Sequence, residues 1–453
     1  MPEIFRRPLL LGAIIVLSAM LLGACSDDDG DGDDGAATPS GGAATPSDGA
    51  TAPSGGAAGP LGSVDVLGIW GGEELEKFEA MVEPWEAQEG GQVDFTGQRG
   101  VAALLTTRIE GGNPPDIAIP AEVGLFQDLA REGSLVPLSD CGLEEEILAN
   151  YPQAFVDLGS VDGTLYAFFM KADAKGTIWY NPNTFAANSY EPLTGSSSWE
   201  DLIALSEQML ADGLAPWSMG VESEADSGWP GADWLQEIIL NMDDGGALYD
   251  GLLDGSIPFT DDRVKAAWER FGAVAHTDGY ISQGSTAGIN ATNFQDATFP
   301  PFQDPPAAGM VHLGAFASTF IEEQFPSAVA GEDFDFFPFP GGGVTGGANL
   351  VIAFNSDPAT CSLLQYLVGA DAQQIWVELG GFTSLNQGVA LESYPDDTAR
   401  AAAQYLLEAE AFRFGLADAI GGEVQRAIFT GVTEYLDNPG QLDAILASIE
   451  AAR

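Results

Sequence analysis

Short apolar runs alternate with amphipathic stretches in the chain that follows residue 60. Three runs have the length and composition of strands: residues 64–69, 93–96 and 117–119. The two segments between them carry apolar side chains at helical spacing and predict helices, at residues 75–85 and 101–110. This order of strand, helix, strand, helix and strand predicts a parallel sheet with right-handed crossovers.

A second α/β pattern begins near residue 164. Its strand-like runs are residues 165–170 and 177–180, and a helix is predicted from Trp199. A glycine-rich segment at 341–347 follows a further strand-like run and precedes another, as a crossing between two bodies would.

The length after residue 60, about 390 residues, exceeds what a single core holds and suits two lobes. We expect lobe 1 to comprise residues 61–170 and 345–390. Lobe 2 is then expected to comprise residues 171–344 and 391–453.

The loops after the first three strands are candidates for binding, because ligands of open parallel sheets lie beyond the carboxyl ends of the strands. The polar and aromatic side chains there are Trp70, Glu73, Arg99 and Glu122. Two alternatives stay open: Trp70 could be a packed loop anchor, and Arg99 could be the partner in a surface ion pair.

The N-terminus has the features of an export signal. Arg6 and Arg7 precede an apolar run at residues 9–22, which is short for a membrane span. Residues 22–25, ending in Cys25, resemble a bacterial lipobox, which implies cleavage after residue 24 and lipid on the Cys25 thiol. The alternative is a plain secretory signal with an incidental cysteine. We expect a lipoprotein on the extracytoplasmic face of the bacterial cell membrane.

Residues 25–60 are expected to be a disordered tether. After Cys25 they contain only Asp, Gly, Ser, Thr, Ala and Pro, and so have too little apolar surface to offset the entropy of ordering. The tether would hold the folded part near the membrane through the lipid anchor alone.

The charge of the chain excludes some partners. It has 15 basic and 68 acidic side chains, a net charge of −53, which repels nucleic acid and anionic lipid. The acid-rich, lysine-poor balance also suggests a surface adapted to salt.

The remaining cysteines, Cys141 and Cys361, form an even pair in an oxidising compartment. They are either joined in a disulfide or present as two buried thiols. The two histidines, His276 and His312, lie far apart, and no cluster has the spacing of a zinc site. We expect neither a metal nor a cofactor.

A series of motifs along residues 61–453 resembles the extracellular solute-binding proteins of carbohydrate ABC importers, with the maltose-binding-protein fold. Among these the chain is most similar to α-glucoside-binding proteins. The motifs are residues 114–118, 175–182, 199–202, 216–223, 228–234, 304–306 and 336–340, followed by Arg413, Phe414 and Asp418.

The resemblance implies an α/β fold of the two-lobed periplasmic-binding-protein type, class II. Each lobe would be a mainly parallel sheet flanked by helices, with a ligand cleft between the lobes and a hinge of several crossings. It further implies a monomeric binding protein, not an enzyme, that captures a mono- or oligosaccharide by lobe closure and delivers it to the transmembrane subunits of an ABC permease.

A sugar presents apolar faces and a rim of hydroxyls, so its site needs aromatic platforms beside carboxylates, amides or basic groups. In the second lobe, Glu222, Trp229, Asp233 and Trp234 supply two acids and two aromatics within thirteen residues. We expect Trp229 to be a platform and the two acids to accept hydrogen bonds from hydroxyls. Trp234 could instead belong to the core of an apolar helix.

Three further candidates are weaker. Phe316 and Phe382 are expected either in the cleft or in the core, and Lys175 either reaches the cleft or pairs with a carboxylate. Two rival functions also stay open. A secreted hydrolase would need a pair of carboxylates, which are abundant here, and a sugar sensor that feeds a receptor would have the same sequence features.

Overall fold

The computed structural model describes residues 61–98, 100–409 and 412–453. The predicted signal peptide (1–24), Cys25 with the tether (25–60), and Arg99 lie outside the described residues. No helix within the described part combines the length and the hydropathy needed to cross a bilayer.

The strands are β1 (Ser63–Gly68), β2 (Gln92–Gly97), β3 (Ile117–Ile119), β4 (Ser160–Val161), β5 (Thr164–Leu165), β6 (Ala167–Ala174), β7 (Thr177–Tyr180), β8 (Trp217–Ser218), β9 (Met310–His312), β10 (Asp335–Pro338), β11 (Val344–Ala353), β12 (Thr383–Ser384) and β13 (Phe412–Phe414). The helices are α1 (Glu73–Glu89), α2 (Val101–Glu110), α3 (Val123–Arg131), α4 (Glu144–Asn150), α5 (Gln153–Leu158), α6 (Pro182–Asn188), α7 (Trp199–Ala211), α8 (Trp229–Leu240), α9 (Gly245–Asp254), α10 (Asp262–Ala275), α11 (Thr286–Ala291), α12 (Ala317–Gln324), α13 (Pro358–Leu367), α14 (Ala370–Leu379), α15 (Asp397–Leu407), α16 (Leu416–Ile420), α17 (Gly422–Asp437) and α18 (Leu442–Ala451).

The larger sheet has the order β12-β6-β11-β3-β1-β2, with β13 paired to β11. β1 runs parallel to β2 and β3, as the alternation of strands and helices predicted. β11, however, runs antiparallel to β3 and β6. The reason is topological: the chain leaves this sheet along β6 and returns along β11, so the two strands run in opposite directions.

The smaller sheet has the order β10-β7-β9-β8 and is mainly antiparallel, with β8 and β9 as its parallel pair. The expectation of a mainly parallel sheet in each lobe is therefore wrong for this sheet and only half right for the larger one. The α/β class and the division into two sheets with flanking helices agree with the prediction.

The hydrophobic cores divide the chain into two bodies. The core around the larger sheet draws on residues 61–174 and 344–414, and we call this body lobe 1. The cores around the smaller sheet draw on residues 178–339 and 416–452, and we call this body lobe 2. α15 contributes Ala403 and Leu406 to the core of lobe 1, so we propose to move the last lobe boundary from residue 391 to about 415.

Lobe 1 contains a disulfide between Cys141 and Cys361, whose Cα atoms lie 5.0 Å apart. Of the two alternatives that the sequence left open, the geometry supports the bonded pair. The two cysteines are 220 positions apart, and the segment between them includes all strands of the smaller sheet.

The chain crosses between the lobes three times, at residues 174–177, 339–344 and 414–416. The crossings are joined to one another by backbone hydrogen bonds. Lys175 N donates to Thr345 O (2.9 Å), and Gly415 N donates to Gly346 O (2.8 Å). β11 already begins at Val344, so only the first part of the glycine-rich segment is a loop.

α8 connects these crossings to lobe 2 through buried polar side chains. Glu237 Oε1 accepts from the Thr345 N–H (3.2 Å) and from its hydroxyl, which holds the second crossing. Gln236 Oε1 accepts from Leu416 N (2.9 Å), which holds the third. Asp233, one turn earlier, contacts Lys175 of the first. One face of a single helix therefore holds all three crossings.

Candidate functional site

A cavity of about 160 Å³ lies between the two lobes and is lined by both. Lobe 1 contributes residues from the loops after β1 and β3 and from the facing surfaces of β6 and β11. Lobe 2 contributes the start of α8, the turns before it, and α12, α16 and α17. The position between lobes, at the carboxyl ends of the first strands, is where the topology predicted a ligand.

The aromatic rings that line the cavity come from lobe 2, which also contributes the carboxyl groups of Asp226, Asp233 and Asp418. Trp229 at the start of α8 lies edge-on to Phe294, with ring centroids 5.0 Å apart, and 6.1 Å from Phe316. Phe320, one turn along α12, closes the cluster at 5.8 Å from Phe294. We call these four side chains the aromatic wall. Such a surface suits the apolar face of a ring-shaped ligand.

The lobe 1 side of the cavity is charged. Lys171 on β6 donates to Asp173 Oδ2 (2.9 Å) and forms an ion pair with Glu74 Oε1 (3.4 Å). Burial, with a smaller contribution from the Glu74 carboxylate, raises the pKa of Asp173 to about 6, although the Lys171 ammonium opposes this shift. Asn349 on β11 also lines the cavity. We call Glu74, Lys171, Asp173 and Asn349 the charged wall.

Lys175 at the first crossing lies between two carboxylates of lobe 2. Its Nζ is 3.0 Å from Asp233 Oδ1 and 2.7 Å from Asp418 Oδ2. Burial alone would lower the pKa of Lys175, but the two carboxylates outweigh it and the pKa is raised. Because Lys171, Asp173 and Lys175 are spaced by two, they share one face of the strand and its extension.

Asp233 has an acceptor that the protein leaves unused. The residue is only 3% exposed, and its Oδ2 atom is buried without a hydrogen-bond partner among the described residues. A buried acceptor without a partner costs free energy, so a ligand hydroxyl at this atom would be favoured.

Glu122 is the residue of lobe 1 directly before α3, and it faces lobe 2. Burial, together with the charges of Asp418 and Asp226, raises the pKa of its carboxyl to about 7. The Ala121 N–H, which donates to Glu122 Oε2 (3.1 Å), only partly offsets this. At neutral pH this carboxyl therefore exists in both protonation states.

The sequence matches the family model of the bacterial extracellular solute-binding proteins over residues 80–403. This chain belongs to that family. The family resemblance inferred from sequence is thereby confirmed.

Two curated relatives of this solute-binding protein align over most of its length. The osmoprotective compounds-binding protein GgtB of Synechocystis is 34% identical over 380 residues, which are 82% of this chain and 88% of GgtB. The alpha-glucosides-binding periplasmic protein AglE of Rhizobium meliloti is 30% identical over 406 residues, 86% of each protein.

Solved structures share the fold. The bacterial solute receptor AcbH superposes with a TM-score of 0.73 at 20% identity, covering 86% of this chain and 98% of AcbH. Maltose-bound MalE3 of T. maritima gives a TM-score of 0.67 at 17% identity, covering 86% and 98%. At these identities the superpositions establish the two-lobed fold alone.

Five of the predicted site residues of this solute-binding protein line the cavity together: Glu122, Lys175, Trp229, Asp233 and Phe316. Both alternatives considered for Lys175 apply, because it lines the cavity and also pairs with two carboxylates. Arg99 lies outside the described residues.

The structure places three other predicted aromatics in hydrophobic cores. Trp70 is fully buried against Phe78, Phe95 and Trp376, and reaches the site only indirectly by donating to Asn349 Oδ1 (3.3 Å). Trp234 packs against Trp217, and Phe382 packs against Trp376. In each case, burial of the ring against large apolar neighbours is more favourable than its exposure in a loop.

Two predicted acids lie near the cavity but do not line it. Glu73 forms an ion pair with Lys77 (3.4 Å) and lines a neighbouring cavity of about 270 Å³. Glu222 accepts from Asn293 Nδ2 (2.8 Å) and from Glu224 N (2.9 Å), and so stabilises a turn. Both carboxylates are occupied by local partners.

Several lining residues were not predicted, namely Glu74, Lys171, Asp173, Asn349, Phe294, Phe320, Asp418 and Gln425. The alternation of Lys171, Asp173 and Lys175 was a usable signal, because three charges on one face of an otherwise apolar strand need polar surroundings. The aromatic residues Phe294 and Phe320 had no such signal, since they are separated from Trp229 by many residues in sequence.

Proposed function

We propose that this protein is the lipid-anchored receptor of an ABC importer. It captures a neutral α-glucoside-type sugar between its lobes and delivers it to the transmembrane subunits of a permease. The observation that carries the proposal is the cavity itself, with an aromatic wall on one lobe and a charged, hydrogen-bonding wall on the other.

The two walls match the two surfaces of a sugar. Trp229 and its neighbouring rings offer apolar area for the C–H face of a pyranose. The carboxylates and the single ammonium group of the charged wall, with Asp233 Oδ2 of lobe 2, offer charge-assisted hydrogen bonds to hydroxyls.

The charge of the lining favours a ligand without negative charge. Six carboxyl groups and two ammonium groups line the cavity among the described residues: Glu74, Glu122, Asp173, Asp226, Asp233, Asp418, Lys171 and Lys175. An anionic ligand such as a sugar phosphate would be repelled by this excess of carboxylates.

The names of the relatives support the same ligand class. AglE binds alpha-glucosides and GgtB binds osmoprotective compounds, according to their names. The acidic, lysine-poor composition of this chain suggests a salty habitat, where compatible solutes are imported. We therefore favour small α-glucosides that act as osmoprotectants.

Capture requires closure, because a ligand that contacts both walls stabilises the closed arrangement. Lipidation at Cys25 and the tether at 25–60 would keep the receptor beside its permease. The N-terminal proposal is tested by mass spectrometry of the membrane fraction, with Cys25→Ser expected to release the protein.

Isothermal titration calorimetry with trehalose, sucrose, maltose and larger α-glucosides tests the ligand proposal. We expect binding of at least one of these sugars and no binding of glucose 6-phosphate. Glycine betaine serves as a non-sugar osmoprotectant, and binding of betaine without any sugar would contradict the proposal.

Product analysis after long incubation separates a receptor from a hydrolase. We expect every bound sugar to be recovered intact. Released glucose, lost on substitution of a cavity carboxylate, would instead support the hydrolase. Permease genes beside the gene for this chain would favour an importer over a sensor.

A further inference from the structure

The two lobes touch through bare backbone at one edge of the cavity. Gly124, the second residue of α3 in lobe 1, packs against the turn between α16 and α17 in lobe 2. A Cβ atom built on Gly124 would lie 2.3 Å from Ile420 O and 3.1 Å from Gly421 Cα. Real Cβ atoms do not come within 2.3 Å of a carbonyl oxygen, so a side chain at position 124 requires these two main-chain segments to move apart.

The turn on the lobe 2 side also uses glycine. Gly421 has φ of 70°, in the left-handed region that favours glycine, and its own Cβ position lies 3.1 Å from Gly124 Cα. The opposing atoms at both positions belong to main chain, which cannot rotate away as a long side chain would. We call Gly124, Ile420 and Gly421 the glycine contact.

The glycine contact is directly linked to the cavity lining. Glu122 lies two residues before Gly124 and accepts the backbone hydrogen bond of Phe126 (3.3 Å). Across the cleft, Gly421 N donates to Ala417 O (2.8 Å), beside Asp418. Glu122, Ala417 and Asp418 all line the cavity, so a shift at the contact changes the distance between its walls.

We propose that the glycine contact determines which ligand size this receptor prefers, by letting the lobes close to backbone contact around a compact sugar. This inference rests on the proposed function. The hinge fixes the lobes on one side, and the glycine contact limits their approach at the cavity edge. A methyl group there would separate the walls by about 1 Å, since carbon and oxygen need roughly 3.3 Å or more between them.

Ligands of different size would respond differently to that separation. A compact glucoside must touch both walls to hold the lobes closed, so it loses contacts when the walls move apart. A longer α-glucan occupies more of the cleft and keeps contact with both lobes when they are slightly open. The size dependence is the property that a purely structural defect would not produce.

The test is calorimetric titration of Gly124→Ala with a disaccharide and with a trisaccharide and tetrasaccharide of the same linkage. We expect at least about a tenfold loss of affinity for the disaccharide and less than about a threefold loss for the longer sugars. Gly246→Ala is the matched control, because Gly246 is also the second residue of a helix and its Cβ would have ordinary contacts, the nearest at 3.9 Å. It should leave all affinities unchanged.

Equal losses for all sugar lengths, or no loss at all, would overturn the proposal. Hydrogen–deuterium exchange of the wild-type protein gives a second test that needs no variant. The amides of residues 122–126 and 417–422 should become protected when the disaccharide binds, and unchanged exchange there would also contradict the proposal. A wild type that binds no sugar would instead refute the proposed function, so the two failures are distinguishable.

Discussion

The two walls of the cleft are built on opposite principles. In the charged wall of lobe 1, Lys171 already lies between Glu74 and Asp173, so its groups are held in place by one another. In the aromatic wall of lobe 2, Trp229 and Phe316 are only partly buried and offer their surfaces to the cavity. Burying the groups of the charged wall costs desolvation free energy but fixes their positions for hydrogen bonding. The aromatic wall instead provides apolar surface area for a ligand.

This difference implies that substitutions in the two walls have different consequences. Losing a charge from the charged wall affects the stability of lobe 1, because the remaining partner stays buried. Losing a ring from the aromatic wall affects ligand affinity, because the ring is partly exposed without ligand. Four predictions test this contrast.

The largest effect is expected from the disulfide of lobe 1, the lobe that carries the charged wall. The double variant Cys141→Ala, Cys361→Ala should lose about 5 kcal/mol of unfolding free energy, since the bond closes a loop of 220 residues. Urea unfolding monitored by circular dichroism measures the loss. A variant as stable as wild type would mean that lobe 1 does not depend on the bond.

Lys171→Met tests the charged wall itself. It leaves the Asp173 carboxyl buried without its cation and should cost about 3 kcal/mol of unfolding free energy. Lys265→Met is the control, because its partner Asp443 is 82% exposed and such pairs contribute less than about 1 kcal/mol. Similar losses of unfolding free energy in both variants would mean that the buried ion pair contributes no more to stability than the exposed one.

Trp229→Ala tests the aromatic wall. We expect at least a tenfold loss of sugar affinity by calorimetry, about 1.4 kcal/mol, with the thermal unfolding midpoint little changed. Trp199→Ala is the matched control, since Trp199 is also a partly buried tryptophan that begins a helix of lobe 2, but it lies outside the cavity. If both variants lose affinity equally, Trp229 is not a platform.

The pH dependence of affinity tests how the walls meet. The Glu122 carboxyl faces Asp418 and Asp226 across the cleft, where its pKa is about 7, and this pKa should return toward the usual value when the lobes move apart. The closed form then binds one more proton, so closure is favoured below pH 7 and weakens as the pH rises through 7. We expect affinity to fall about tenfold from pH 6 to pH 8.

Glu122→Gln is the control for this pH effect. The amide does not titrate, so the dependence between pH 7 and 8 should disappear in the variant. Asp173 and Asp233, whose pKa values are raised to about 6, would still contribute between pH 6 and 7. If the affinity of the variant changed with pH as steeply as that of the wild type, the proton taken up on closure would belong to another group.

The parts of the fold that follow from local sequence were predictable. β3 has the bounds that the apolar run gave, and α2 begins and ends as predicted. The antiparallel arrangement of β6 and β11 could not be predicted, because it depends on the chain leaving lobe 1 and returning to it. The boundary that we propose near residue 415 could not be predicted for a similar reason: the helical pattern of α15 does not indicate which sheet it packs against.

The site was predictable where chemistry and sequence spacing coincide. Trp229 and Asp233 were found together because they belong to a group of two acids and two aromatics within thirteen residues, and five predicted residues do line the cavity. For Trp70 and Trp234 the sequence left a buried position open as an alternative, but it could not decide between burial and the cleft. Their burial is decided by partners such as Trp376 and Trp217, which are distant in sequence.

The attachment of all three crossings to one face of α8 constrains the motion of the molecule. Segments held by Asp233, Gln236 and Glu237 cannot bend independently, because each displaces the same helix. We expect any movement of the lobes to bend the three crossings together rather than one at a time. Since Trp229 begins that same helix, a ring that lines the cavity belongs to the element that joins the three crossings.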